Sequence, residues 1–324
     1  MEQLLVETSP HIRSPQDVRR IMWTVVAALI PAGVAAGVFF GYWAIRLVSV
    51  CVITSVATEA IIQILRRRPV TVHDGSAVVT GILLAYVLPP NAPILVGAVG
   101  SFVAIAIGKQ AFGGLGANIW NPALVGRAFV QMAYASKVSL SAWPVLKEAG
   151  HFSADVRTVD AVSRASALAT DFTNGTYSVW DLFLGRVPGC IGETSAIALL
   201  LGGLVLIGLR IVNWRMPLSY IGTVFVLTWL LPSPYTGWFK GMPFYHIFAG
   251  GLMLGAFYMA TDMVTSPVTN RGIVIFGVGA GLLTTAIRYY GGYPEGVCYA
   301  ILLMNTATPL IDRYTKPRVF GARK

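Results

Sequence analysis

Ten apolar stretches, most of them shorter than 20 residues and many cut by Gly or Pro, constrain this chain more than any other feature. They cover residues 21–40, 44–65, 76–88, 94–107, 122–135, 194–209, 218–231, 247–260, 273–287 and 297–311. A helix that crosses a bilayer alone needs about 20 apolar residues. Charged residues make up only 12% of the 324, about half the share found in soluble domains. A soluble globular protein of this size would lack the polar groups to cover its surface. The mean hydropathy of +0.67 agrees with that exclusion.

Backbone broken at membrane depth is tolerated only where it is buried in protein or lines a cavity. The short stretches are therefore expected to be inner helices of a bundle. Gly250, Gly251 and Gly255 suit close helix packing there. The expected fold is an all-α polytopic membrane protein with about ten transmembrane helices, arranged as two inverted five-helix halves. Its parts are a first half over residues 1–135, an extracytoplasmic loop over 136–193 and a second half over 194–324. Five spans per half give the halves opposite topology. Residues 75–90 echo 250–267, and Gly113-Gly114 precedes span five as Gly291-Gly292 precedes span ten. An inverted repeat of broken helices places a binding site near the midplane.

Short-loop basic residues mark the cytoplasmic side. With the N-terminus cytoplasmic, that side receives Arg13, Arg19, Arg20, Arg66, Arg67, Arg68, Lys109, Arg127, Arg210, Arg215 and Arg271. It also receives Arg313, Lys316, Arg318, Arg323 and Lys324 in the tail. Both termini are therefore expected in the cytoplasm, with the chain in the inner or plasma membrane of a prokaryote. The net charge of +10 comes largely from these edges rather than from a basic face, so nucleic acid is not an expected partner. Cys51, Cys190 and Cys298 lack CxxC spacing, and His11, His73, His151 and His246 show no paired spacing. No metal site is expected from them. Neither a GxSxG elbow nor a GxGxxG fingerprint occurs, which removes the common soluble-enzyme chemistries.

Four polar clusters remain. Lys109-Gln110 leads into GGLGANIWNP (residues 113–122). There Gly113 and Gly114 permit close backbone approach, and Asn118 and Asn121 offer amide donors and acceptors. The segment reads equally as a re-entrant turn with self-capping Asn residues or as a cofactor or ion pocket. TDMVTSPVTNRG (residues 261–272) places Asp262 beside Thr265, Asn270 and Arg271. A carboxylate at that depth is costly unless paired or hydrated. It either pairs with Arg271 or serves an ion pathway. Asn305 within span ten either bonds a neighbouring helix or lines a path, and Asp74 either caps span three or joins an inner polar site. The fourth cluster, DAVSRASAL (residues 160–168), reads in isolation as a hydroxyl-bearing turn. Its Arg164 is able to neutralise an anion.

Taken in order, KQAFGGLGANIWNPA, TDMVTSPVTNRG, GGYPEGV and PLIDRYTKPRV resemble one family over nearly the whole chain. It is the D subunit of the ion-translocating ferredoxin:NAD oxidoreductase (Rnf) complex. That family is related to the B subunit of the sodium-translocating NADH:quinone reductase. The resemblance implies FMN attached through a phosphoester to a hydroxyl residue in a D-G-x-S-G-A-T-x-L pattern. Asp160, Ser163, Ala165 and Leu168 match the pattern, Ala161 and Arg164 replace its glycines, and Ser166 stands in place of its Thr. Ser166 is thus the implied attachment point, with Ser163, Arg164 and Asp160 around it; noncovalent FMN or loss of the site are the alternatives. A second, noncovalent flavin (riboflavin or FMN) is implied within the bundle. Lys109, Gly113, Gly114, Asn118, Asn121, Thr265, Asn270 and Arg271 are the candidate contacts for it or for a coupling ion. Asp262, Asn305 and Asp74 are candidates for the ion pathway.

The resemblance further implies an electron-carrying component rather than a complete enzyme. Its assembly passes electrons between ferredoxin and NAD while moving Na+ or H+. Expected partners within the complex are the G subunit, carrying another FMN, and the A, C and E subunits. Without the family motifs, a secondary transporter with an inverted repeat, or a purely structural assembly component, would suit the same spans.

Overall fold

The computed structural model describes residues 17–138, 178–185, 187, 189–193, 195–232, 238–239, 241–291 and 295–316. The described residues contain helices and no strand. The chain runs through α1 (Val18–Phe40), α2 (Tyr42–Leu65), α3 (Ser76–Tyr86), α4 (Ile94–Ala106) and α5 (Pro122–Ala133), followed by a short α6 (Ala135–Val138). Then come α7 (Val179–Leu184), α8 (Ala196–Gly208), α9 (Arg215–Leu230), α10 (Pro243–Phe248) and α11 (Leu252–Leu254). A π-helical turn (Gly255–Met259) runs straight on from α11. α12 (Asn270–Tyr290) and α13 (Val297–Tyr314) complete the described helices.

Four helical stretches are long and apolar enough to cross a membrane among the described residues: Val18–Phe40, Tyr42–Leu65, Ile94–Phe112 and Asn270–Tyr290. The outer pair show why. Ile30, Val34 and Val38 on α1 and Ile45, Ile53, Ile61 and Ile64 on α2 are exposed, which is stable only against lipid. Gly41 joins the two helices in a single residue. Its φ of +59° and ψ of −139° lie where a side chain is strongly disfavoured.

The remaining helices are shorter; α3 is packed inside as expected, whereas α8, α9 and α13 are not wholly inner helices and also carry exposed apolar residues such as Leu204, Val226 and Leu303. α3 has 11 residues and lies against α2, which also packs on α4; α4 in turn packs on α5. Further along the chain α9 packs on α12 and α12 on α13, while α1 packs on α8. Small residues set these approaches. A Cβ on Gly81 of α3 would meet the Val52 Cα of α2 at 2.7 Å, and one on Gly126 of α5 would meet the Gly100 carbonyl of α4 at 2.6 Å. Gly255 serves in the same way against Val297, as its sequence context suggested.

Local capping follows the sequence. Asp74 accepts from the Ser76 N–H at 2.8 Å and from its hydroxyl at 2.6 Å, which ties down the start of α3. Asn121 caps α5 through the Ala123 N–H at 3.0 Å, with Pro122 at the first helical position. Arg127, counted among the loop charges on sequence grounds, is instead buried within α5. It pairs there with Glu295 and does not contribute to the basic edge.

Candidate functional site: two buried polar chambers at the ends of a short helix

The first chamber lies at the start of α3. Lys109 follows α4, and its ammonium reaches Glu59 Oε1 at 2.7 Å, Glu59 Oε2 at 2.9 Å and the Ser76 hydroxyl at 2.6 Å. Both charged side chains are almost wholly buried, at 2% and 1% exposure. Gln110 Nε2 donates to Glu59 Oε1 at 3.0 Å, and Gln63 stands one turn further along α2 with its amide on the same oxygen at 3.4 Å. Sequence reasoning missed Glu59. Its signal was present, because it is the one acidic residue inside a membrane-length helix.

Beside this pair is a cavity of about 80 Å³, lined among others by Ser76, Thr80, Lys109, Asn118, Asn121 and Asp262. Met22, Leu206 and Phe257 supply apolar wall, and Tyr258 adds a ring. Phe257 and Tyr258 come from the π-helical turn, a rare geometry that recurs at functional sites. The Tyr258 hydroxyl shares its proton between the carbonyls of Ala28 on α1 and Leu199 on α8, at 3.1 and 3.0 Å.

Of the residues singled out from sequence, Lys109, Asn118, Asn121 and Asp262 therefore meet at one cavity. Asn118 donates to the Trp120 carbonyl at 3.2 Å, while its own buried Oδ1 has no partner among the described residues. Asn121 also donates to the Met259 carbonyl at 3.2 Å, tying α5 to the π-helical turn. Asp262 accepts from the Val264 N–H at 3.4 Å and from the Thr265 hydroxyl at 3.2 Å, and it makes no ion pair with Arg271. Burial pushes the Asp262 carboxyl above its ordinary range, against those two hydrogen bonds and the charge of Lys109. Asn305, in the amide orientation that satisfies both of its atoms, accepts from the Asn121 N–H at 3.0 Å and donates to the Ile301 carbonyl at 3.1 Å. It therefore supports the turn behind the cavity.

Other candidates lie elsewhere. Asn270 accepts from Asn213 at 3.0 Å and Arg215 at 2.9 Å, joining α12 to the start of α9, and Arg271 is exposed. Gly113 and Gly114 adopt positive φ and border a separate open groove with Arg68 and His73. Asp160, Ser163, Arg164 and Ser166 lie outside the described residues.

The cavity's chemistry suits a flavin heterocycle, with amide, hydroxyl and ammonium groups facing aromatic and aliphatic walls. Its size does not. At about 80 Å³ it is well below the roughly 300–1,000 Å³ of an ordinary ligand pocket. A tricyclic ring enters only if the walls part.

The second chamber lies at the other end of α3. Residues 190–192 pair with that end through Ile191 N–H to the Leu88 carbonyl at 3.1 Å and Gly192 N–H to the Tyr86 carbonyl at 2.9 Å. Cys190 Sγ and one carboxylate oxygen each of Glu193 and Glu295 lie within 4.8 Å of one another, a grouping of metal-ligand atom types that residue spacing did not show. Arg127 donates to Glu295 Oε2 at 3.1 Å. Arg288 gives its guanidinium to the carbonyls of His246, Ala249 and Glu295. Eleven helical residues at 1.5 Å rise put about 16 Å between the two chambers. That is well short of a hydrocarbon core of about 30 Å.

A family model described as "NQR2, RnfD, RnfE family" matches residues 5–321. The chain is 50% identical to the D subunit of the Na(+)-translocating ferredoxin:NAD(+) oxidoreductase complex of Acetobacterium woodii, over 99% of this chain and 96% of that protein. It is 46% identical to the D subunit of the proton-translocating ferredoxin:NAD(+) oxidoreductase complex of Clostridium ljungdahlii, over 98% and 96%. It is 38% identical to the D subunit of the ion-translocating oxidoreductase complex of Pseudomonas paraeruginosa, with the same coverage.

Proposed function

The chain belongs to the NQR2, RnfD, RnfE family, and from that premise we propose that it is the flavin-bearing membrane component of an ion-translocating ferredoxin:NAD oxidoreductase complex. The observation that carries the reading is end-to-end similarity to the D subunits of such complexes, joined to membrane-length apolar helices. Ferredoxin, NAD and the G, A, C and E subunits are the proposed partners. The ion is Na+ or H+, since relatives of similar identity are named for each.

FMN held by a phosphoester on Ser166 would supply one- and two-electron redox chemistry at a place the chain fixes. Arg164, two residues before it in sequence, would balance the phosphodiester charge. A second flavin in the bundle would need the cavity beside Lys109 to widen; Asn118 and Asn121 would then be the residues to hold it, with Lys109 already paired to Glu59. The pairing of α2 with α4 and of α9 with α12 supports two inverted five-helix halves, with α1 and α8 as equivalent helices meeting at the axis. Both termini then share one side, which the short-loop basic residues make the cytoplasmic one in this reading, with residues 136–193 on the other.

Peptide mass spectrometry of the purified chain tests the assignment. A mass increase matching phosphoester-linked FMN is expected on the peptide holding Ser166, and Ser166→Ala should remove it and impair electron transfer by the complex. An unmodified wild-type peptide, or unchanged flavin mass in the variant, would overturn it. The two polar chambers separated by one short helix also suit a secondary transporter. Solute uptake by the flavin-free chain alone would favour that reading.

A further inference from the structure

We propose that Glu193 and Glu295 form a proton-binding site, one proton shared between the buried carboxylate of Glu193 and the part-buried one of Glu295, at the end of α3 opposite Lys109. The inference does not depend on the flavin reading.

Glu193 and Glu295 place carboxylate oxygens within 4.8 Å of each other and of Cys190 Sγ, and Glu193 and Cys190 are buried. The groups facing Glu193 are Cys190 from its own loop, Arg127 from α5, Arg288 from α12 and Glu295 from the turn before α13. By number alone, two guanidiniums match two carboxylates. Their hydrogen bonds say otherwise, because Arg288 is committed to three backbone carbonyls, two of them at the end of α10. Among the described residues only Arg127 makes an ion pair in this chamber, and it is with Glu295. Two carboxylates this close in a buried place do not both ionise when one guanidinium serves the pair. Glu193 is the partner that takes the proton, and burial and the neighbouring Glu295 charge act together in that direction.

Two further observations define what the site binds. The Cys190 Sγ lies 3.0 Å from the Val87 carbonyl and 3.9 Å from Glu295 Oε1, both acceptors, and burial pushes the thiol up, so the place suits a protonated thiol better than a thiolate ligand. With Arg127 already on Glu295, the cluster presents a poor cage for a metal cation. The Nε and Nη1 donors of Arg127 are fully buried and meet no acceptor among the described residues. They are seats for ordered water beside the carboxylates, and such water is the usual partner of buried donors. Gly251 completes the chamber, for a Cβ there would meet Glu193 Oε1 at 2.5 Å. The site thus combines an acid pair, one compensating cation and donors for the water through which a proton exchanges.

Infrared spectroscopy of the full chain in lipid bilayers at neutral pH tests this. The wild type should show a carboxylic-acid carbonyl band that shifts down in D2O. Glu193→Gln should lose one such band per chain. Glu295→Gln frees Arg127 to pair with Glu193 and should lose it too, whereas Asp262→Asn should keep it. Absence of any exchangeable acid band in the wild type would overturn the proposal without recourse to a variant. So would its persistence in Glu193→Gln, or a stoichiometric divalent metal found by elemental analysis and lost in Cys190→Ser.

Discussion

Replacing Lys109 with Met removes the one cation that touches Glu59 among the described residues. The ammonium lies 2.7 and 2.9 Å from the two carboxylate oxygens and 2.6 Å from the Ser76 hydroxyl, with both charged side chains out of solvent. Breaking a buried pair by deleting one partner typically costs about 3–5 kcal/mol, because the remaining charge is left uncompensated. Gln110 at 3.0 Å and Gln63 at 3.4 Å still donate to Glu59, so the loss should fall near the lower end, about 3 kcal/mol. Removing both charges, in Glu59→Gln with Lys109→Met, should recover most of that loss, since a buried ion pair is roughly neutral against well-packed uncharged residues. The assay is reversible unfolding in mixed micelles for the wild type, both single variants and the double variant. A coupling energy of about 2 kcal/mol or more is expected, far above the roughly 0.5 kcal/mol within which independent sites add. If the four free energies are additive within that margin, Lys109 and Glu59 are not a coupled pair and the reasoning fails.

Asp262→Asn should stabilise the folded chain at neutral and alkaline pH. The folded carboxyl is held above its ordinary value, so ionisation favours the unfolded chain once the pH exceeds about 3.9. The advantage of Asn should be absent below that value, grow as pH rises towards the folded one, and level off above it. Unfolding midpoints across pH check this, and an advantage that grows on acidification would refute it. Gly81→Ala should destabilise the α2–α3 contact by about 1–3 kcal/mol, since its Cβ would meet Val52 Cα at 2.7 Å. A neutral unfolding free energy would show that the helices separate freely.

Much of the local architecture was legible in the sequence because it depends on near neighbours and on solvent. Low charge and membrane-length apolar runs determined the class. Asp74 capping α3 and Asn121-Pro122 opening α5 follow from hydrogen bonds reached within two residues. The ordered Gly, Asn and Pro motifs determined the family. What tertiary structure decided was the pairing of charges. Lys109 meets Glu59 across 50 residues, and Arg127 meets Glu295 across 168. No local spacing encodes such partners. Read along the chain, Arg127 counted towards the cytoplasmic charge and Cys190 only lacked ligand spacing, and Glu59 drew no notice. A low-dielectric interior makes an isolated charge prohibitive, so each buried ion can persist only where folding delivers its counterpart from a distant helix. That requirement is met in three dimensions, at the two ends of one short helix.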